Sequence, residues 1–191
     1  MYCLCTENVH GKFKEMNAIS RSDNLSWIEP LASGHTGTLR TLQVMAWLVR
    51  KDYRSPSVVN TVRFVLDAAP RQSIVESLFL FARDQIRYEP DPPNCERVSD
   101  FDHTTESRQG DCDDKVVWLA TALLCCGLSV RFVVQSYAGN SWDHVYLEFY
   151  DWSAWRWIPL DPTADGHTAL VAGIGWRQPL PTAGKEMTYE V

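Results

Sequence analysis

Three things are scarce in this sequence, and each scarcity excludes a class of function. Basic charge is the first: 18 Lys and Arg stand against 24 Asp and Glu, a formal net charge of −6. No basic tract is present to meet phosphates, which argues against a nucleic-acid partner. Long apolar runs are the second. None approaches the roughly 20 residues that span a bilayer, so no membrane partner is expected. Paired cysteines are the third. Cys3, Cys5, Cys95, Cys112, Cys125 and Cys126 form no C-x-x-C unit, so a structural zinc site is not expected. Cys3 and Cys5 with His10 offer metal-binding residue types at a weak spacing, and the reading adopted is no metal and no cofactor. The opening MYCLCTENVHGKFKEM has no charged segment followed by an apolar one. No secretory leader is therefore expected, and the cytoplasm, where thiols stay reduced, is the expected setting.

What is present suits a folded domain. Hydrophobic residues make up 45% and charged residues 22%, a globular balance rather than a disordered one. Eight Trp and seven Phe supply large side chains for a core. A chain of 191 residues suggests one domain with extensions. Residues 1–36 show little periodicity and read as an N-terminal arm, residues 37–163 as the domain, and residues 164–191, rich in Gly, Pro and Thr, as a C-terminal extension over the surface.

Helical periodicity dominates the first part of that domain. TLRTLQVMAWLVRKD places Leu39, Leu42, Met45, Ala46 and Val49 on one face. RSPSVVNTVRFVLDAA starts with Ser55 as N-cap and Pro56 at the first helical position, with a stripe of Val58, Val59, Val62, Val65 and Leu66. RQSIVESLFLFARDQIRY repeats the pattern from Ile74 and stops before EPDPP. Residues 89–110 are polar, lack a clear period, and read as a long functional loop.

DCDDKVVWLATALLCCG then reads as a helix with Asp111 as N-cap, Asp114 three residues on, and Gly127 as its stop. Cys125 and Cys126 read as small core residues. SVRFVVQSY is a near-continuous apolar run, as in a strand buried on both faces. WDHVYLEFY alternates: Val145, Leu147 and Phe149 on one side, His144, Tyr146, Glu148 and Tyr150 on the other. WSAWRWIPLDPT is the third strand. Helices first and strands second predict an α+β fold with an antiparallel sheet.

A thiol enzyme needs a sulfur that can ionise, a base to take its proton, and a group to orient that base. Cys112 begins a helix, where the dipole and unpaired N–H groups favour a negative sulfur. His144 stands on the polar face of a strand, and Asp161 ends the next one. If the helix packs against the sheet, all three can meet.

RQGDCDDKVVWLATALLCCGLSVRFVV, DHVYLE and WRWIPLDPT together resemble the transglutaminase-like superfamily. The matching positions are Gly110, Cys112 and Asp114 at the helix start, Gly127 and Arg131 at the strand entry, His144 and Glu148, and Trp157, Leu160 and Asp161. The resemblance covers about residues 72–163 and implies a fold similar to papain-like cysteine proteases. It implies Cys112 as nucleophile, His144 as general base and then acid, and Asp161 as the holder of the imidazole. A His144 imidazolium and the helix N-terminus are expected to lower the thiol pKa despite the neighbouring aspartates. Glu148 is read as a partner for Arg131 or for a substrate amine. Trp142, Tyr146 and Gln109 are read as substrate contacts, and Gln109, Tyr88 and Trp27 compete as second oxyanion donor beside the Cys112 N–H.

Such proteins hydrolyse amides, transfer acyl groups to amines, or, without the cysteine, serve as binding modules. The expectation here is a cysteine-dependent amide or peptide hydrolase acting on a protein or peptide. The alternatives are a cross-linking glutamine acyltransferase and a non-catalytic scaffold or assembly protein. The resemblance also suggests a bacterial or phage source.

Overall fold

The computed structural model of the chain describes residues 26–30, 34–93, 95–136, 144–163 and 185–191. Trp142, Cys3, Cys5 and His10 lie outside them. Three helices lead to the site. The first, α1 (Gly34–Asp52), buries Leu42, Met45, Ala46, Leu48 and Val49. In α2 (Pro56–Ala68) the Ser55 hydroxyl accepts from the Val58 N–H at 3.2 Å, and Pro56 occupies the first turn, where its missing N–H costs nothing. Ser73 caps α3 (Ile74–Asp84) in the same way through the Glu76 N–H. Ile74, expected on the buried stripe, is instead 46% exposed at the first position of α3; the buried face runs from Ser77 to Ala82.

The segment expected to be a loop is folded. After α3 the chain forms β2 (Arg87–Tyr88), then β3 (Cys95–Ser99), which pairs antiparallel with β1 (Ser26–Pro30). A short helix, α4 (Phe101–Ser107), follows, with the Asp100 carboxylate accepting from the His103 N–H at 2.9 Å. Arg108 closes α4 in the left-handed region at φ 55°, and β4 (Gln109–Gly110) pairs parallel with β2. Elements of two to seven residues are too short to display a period, which is why composition read them as loop.

The fifth helix, α5 (Cys112–Cys125), is central. It packs on α1, α2 and α3 and on strands β5 (Val130–Ser136) and β6 (His144–Asp151). Val116, Val117, Trp118, Leu119, Ala120, Ala122 and Leu123 are all inaccessible to solvent, so the helix is covered all round rather than along a stripe. Trp118 stacks between Phe81 at 4.8 Å and Phe101 at 5.1 Å. The helix stops at Gly127, whose φ of 80° suits a residue without Cβ, and the Leu128 N–H returns to the Leu123 carbonyl at 3.1 Å. Cys125 and Cys126 pack at the edge of the core.

The main sheet has the order β7-β6-β5-β8, with every pairing antiparallel. Two expectations change here. The C-terminal extension does not simply cover the surface: Lys185–Glu190 forms β8, the edge strand beside β5. The third strand is shorter than the sequence pattern suggested, because β7 spans Arg156–Leu160 and residues 152–155 make the turn, with Trp155 at φ 52°. Among the described residues no helix is long and apolar enough to cross a membrane.

Candidate active site

Cys112 is the first residue of α5, and three acidic neighbours build that helix start. The Asp111 side chain accepts from the Asp113 N–H at 3.3 Å, and the Asp114 side chain reaches back to the Asp111 N–H at 3.4 Å, closing a capping box. The other Asp114 oxygen accepts from the Ser99 N–H at 2.6 Å, tying α5 to the end of β3. Gly110 makes room for this. A Cβ at that position would overlap the Asp114 Cβ and come within 2.8 Å of its carboxylate oxygen. The G-D-C-x-D pattern is thus a packing requirement as well as a chemical one. The backbone N–H of Val145, the residue after His144, bonds the Cys112 sulfur, so the helix start lies against the first residues of β6.

His144 and Asp161 come together through the sheet register. Leu147 pairs with Leu160, so extending the ladder sets Asp161 opposite Tyr146 and diagonal to His144 on the same face. The His144 Nε2 lies 2.7 Å from the Asp161 Oδ2. Thr163 holds the other oxygen, its N–H at 2.9 Å and its hydroxyl at 2.7 Å. Burial raises the Asp161 carboxyl, but the bonds from His144 and Thr163 outweigh it and hold the group below the usual carboxylate range. An ionised Asp161 accepts from Nε2–H in the tautomer that makes this bond.

The thiol departs from expectation. Burial and the Asp111 carboxylate push Cys112 up to about 12, and the Val145 N–H offsets only part of this. Asp111, Glu96 and Asp161 all act on the sulfur. Burial and the Asp111 charge raise Glu96 as well. Burial, a bond with Asp111 and that charge raise Asp113, which is 3% exposed. Asp111, Asp113 and Asp114 each bring one ligand oxygen within 4.8 Å of the others. The Asp111 and Asp114 carboxylates serve the helix start, Ser99 and, at 3.7 Å, Arg97, while the buried Asp113 Oδ1 has no hydrogen-bond partner among the described residues.

The remaining expected residues separate. Gln109 is exposed and, with Tyr88, lines a groove of about 720 Å³ beside the site. Tyr146 is 2% exposed and offers no surface to a substrate. Glu148 is engaged by Arg131 at 2.7 Å, and the Arg131 guanidinium lies 4.3 Å from the Trp157 ring centre. Trp152 and Trp155 are exposed in the β6–β7 turn, at the opposite end of β6 from His144, about 25 Å away at the usual strand rise. Sequence reasoning missed Thr163, Glu96 and Lys115. Lys115 carried a signal: it is the one charge set into the otherwise apolar run that follows the helix start.

Helices on an antiparallel sheet, with a cysteine at a helix start against a strand that carries a paired histidine, define an α+β fold. Residues 61–162, more than half of the 191-residue chain, match the transglutaminase core of the transglutaminase-like superfamily, and the chain belongs to that superfamily. No curated protein matches the sequence. Among solved structures the chain is similar to a candidate cysteine protease from Cytophaga hutchinsonii, at 15% identity and a TM-score of 0.43, over 56% of this chain and 37% of that one. It is also similar to a candidate protease from Parabacteroides distasonis, at 10% identity and a TM-score of 0.42, over 58% of this chain and 24% of the other. The chain therefore spans well under half the length of either.

Proposed function

We propose that the protein is a cysteine-dependent amide hydrolase, a thiol peptidase or amidase. Cys112 is the nucleophile, His144 the general base and then acid, and Asp161 the residue that orients the imidazole. The observation that carries this reading is the 2.7 Å His144–Asp161 contact on the strand whose next residue, Val145, bonds the Cys112 sulfur. A thiol pushed up to about 12 is not a standing thiolate at neutral pH. Its proton must leave as the reaction begins, and His144 Nδ1 is the base assigned to take it. Asp161 stabilises the imidazolium that forms.

The sulfur then attacks the amide carbonyl carbon, and the C–N bond breaks as the imidazolium gives its proton to the leaving amine. The product is a thioester on Cys112. Water, deprotonated by His144, cleaves that thioester and releases the acid. The Cys112 N–H, free of an intrahelical partner at the helix start, is one oxyanion donor. Tyr88, on which the Cys112 charge acts, and Gln109 compete for the second. An amine in place of water would give transfer instead of hydrolysis, with the same residues in the same roles.

The test is single-turnover release from an activated anilide, with intact-mass detection of the acyl-enzyme and circular dichroism to confirm folding. Cys112→Ala and His144→Ala are each expected to abolish the acyl-enzyme, and their losses should not add, because nucleophile and base act as a unit. A folded Cys112→Ala protein that turns over at the wild-type rate overturns the mechanism.

A further inference from the structure

We propose that the groove beside Cys112 is a carboxylate-recognition subsite, so that the preferred substrate is a peptide with an acidic side chain or a free terminal carboxylate close to the scissile amide. This deepens, and rests on, the reading of Cys112 as nucleophile. The groove encloses about 720 Å³ between the end of α3, the β2–β4 pair, the end of α4 and Pro162–Thr163. It abuts the site from three directions. Gln109 leads through Gly110 and Asp111 to Cys112, Thr163 holds Asp161, and Lys115 stands one turn along α5 from Cys112.

The groove lining reverses the sign of the molecule. It carries four cations, Arg83, Arg87, Arg108 and Lys115, against one carboxylate, Asp84, on a chain of net charge −6. Two of the cations are already neutralised. Arg83 grips Asp84 through two bonds, at 2.6 and 2.9 Å, and Arg87 pairs with Glu89 at 3.0 Å. The other two have no carboxylate within ion-pair distance among the described residues. The Arg108 guanidinium lies 4.5 Å from the Phe81 ring centre, its residue held at φ 55° by the end of α4. Lys115 is 3% exposed, and its Nζ donates to the Arg83 carbonyl at 3.2 Å and the Ile86 carbonyl at 2.9 Å.

Those two carbonyls use two of three ammonium N–H groups. Burial holds Lys115 down at about 8, the Asp161 and Asp84 charges offset only part of that penalty, and a bound anion would offset more. A lysine that only neutralised the end of α3 would explain Lys115 by itself. It would not explain a second cation without a carboxylate in the same groove, nor the groove's position against the reacting residues. A carboxylate answers both cations, through the planar fork of Arg108 and the point charge of Lys115. A cationic side chain would be repelled there, and an apolar one would leave Arg108 without a carboxylate and Lys115 with only the charges of Asp161 and Asp84 beyond ion-pair distance.

Two measurements decide the matter. In the first, paired fluorescein-labelled peptides that differ only as Glu or Gln at one position, each with a free or an amidated C-terminus, are bound to the full-length Cys112→Ala protein and followed by anisotropy. In the second, the same peptides carry a chloroacetyl group, and the rate of Cys112 labelling is read by mass spectrometry. Carboxylate peptides are expected to bind and label about tenfold better than their neutral partners, as charge-assisted bonds would give. Arg108→Gln, at an exposed position, is expected to bring that ratio toward one, as is Lys115→Met. The Glu and C-terminal arms identify which carboxylate is read. Equal binding of charged and neutral peptides overturns the subsite, whatever the labelling shows. A carboxylate preference in binding without labelling of Cys112 keeps the subsite and overturns the nucleophile assignment.

Discussion

His144 and Asp161 sit 2.7 Å apart as diagonal neighbours across two antiparallel strands, and the Asp161 carboxylate takes that bond on Oδ2 while Thr163 holds Oδ1. Both oxygens are therefore committed. Asp161→Asn keeps a group of the same shape but removes the charge and allows the amide to present a donor to Nε2. The expected outcome is a fall in acyl-enzyme formation of about 10²- to 10⁴-fold with the fold retained, milder than loss of Cys112 or His144. Single-turnover rates beside circular dichroism check this. An Asn variant at the wild-type rate would remove Asp161 from the mechanism.

Reactivity of the sulfur should depend on the histidine. A half-buried Cys112 pushed up to about 12 is nearly all thiol at pH 7, and burial raises Cys125 and Cys126 as well. With His144 present, iodoacetamide at neutral pH is expected to reach Cys112 first. In His144→Ala the rate at Cys112 should fall by at least about tenfold at pH 7 and recover only as pH rises well above 9, since thiolate is then supplied by solvent base alone. Peptide mapping across pH 6 to 10 reads both. Equal rates in the two proteins would show that His144 does not take the proton.

Gly110→Ala tests the helix start. The new methyl would overlap the Asp114 Cβ, so the capping box or the Ser99 bond must open. A loss of about 1–3 kcal/mol in urea unfolding is expected, the usual penalty for overpacking a tight contact. Cys112 acylation should fall with it, because Asp114 fixes where the helix begins. Unchanged stability would mean that the backbone relaxes freely around residue 110.

The carboxylates behind Cys112 should make stability fall as pH rises. Burial pushes Asp91 up to about 7, and burial with the Asp111 charge pushes Asp114 up to about 6. An unfolded aspartate loses its proton near 4. Between about 4 and 7 the folded chain therefore binds more protons than the unfolded one, and stability declines through that window. Asp161, held low by its bonds, acts in the opposite direction but below it. Asp91→Asn retains an acceptor for the Arg97 N–H and removes the titration. Its melting temperature is expected to drop less between pH 5 and 7.5 than that of the parent protein. Parallel curves would place the raised group elsewhere.

Much of the site was legible because its signals are local. Ser55 and Asp111 announce helix starts through bonds to N–H groups two or three residues on, and such bonds need no tertiary partner. The alternation of Val145, Leu147 and Phe149 declared one buried face of β6. What stayed hidden was of two kinds. The pieces between residues 89 and 110 are too short to show a period. Tyr146 and Lys115 are buried by neighbours that the sequence does not set beside them; the carbonyls that hold the Lys115 ammonium belong to Arg83 and Ile86, at the end of another helix. Backbone acceptors leave no trace in side-chain pattern.

By itself the sequence determined the class of fold, the position of Cys112 at a helix start, the strand that carries His144 and the strand that Asp161 follows, since caps, stops and alternation act over a few residues. Only the tertiary structure decided how the site is charged. Whether a thiol is held near 12 or lowered, and whether a groove on an acidic chain turns basic, depends on burial and on distances between residues far apart in the chain. Coulomb interactions and desolvation act through space, and α5 brings both to one end of one helix.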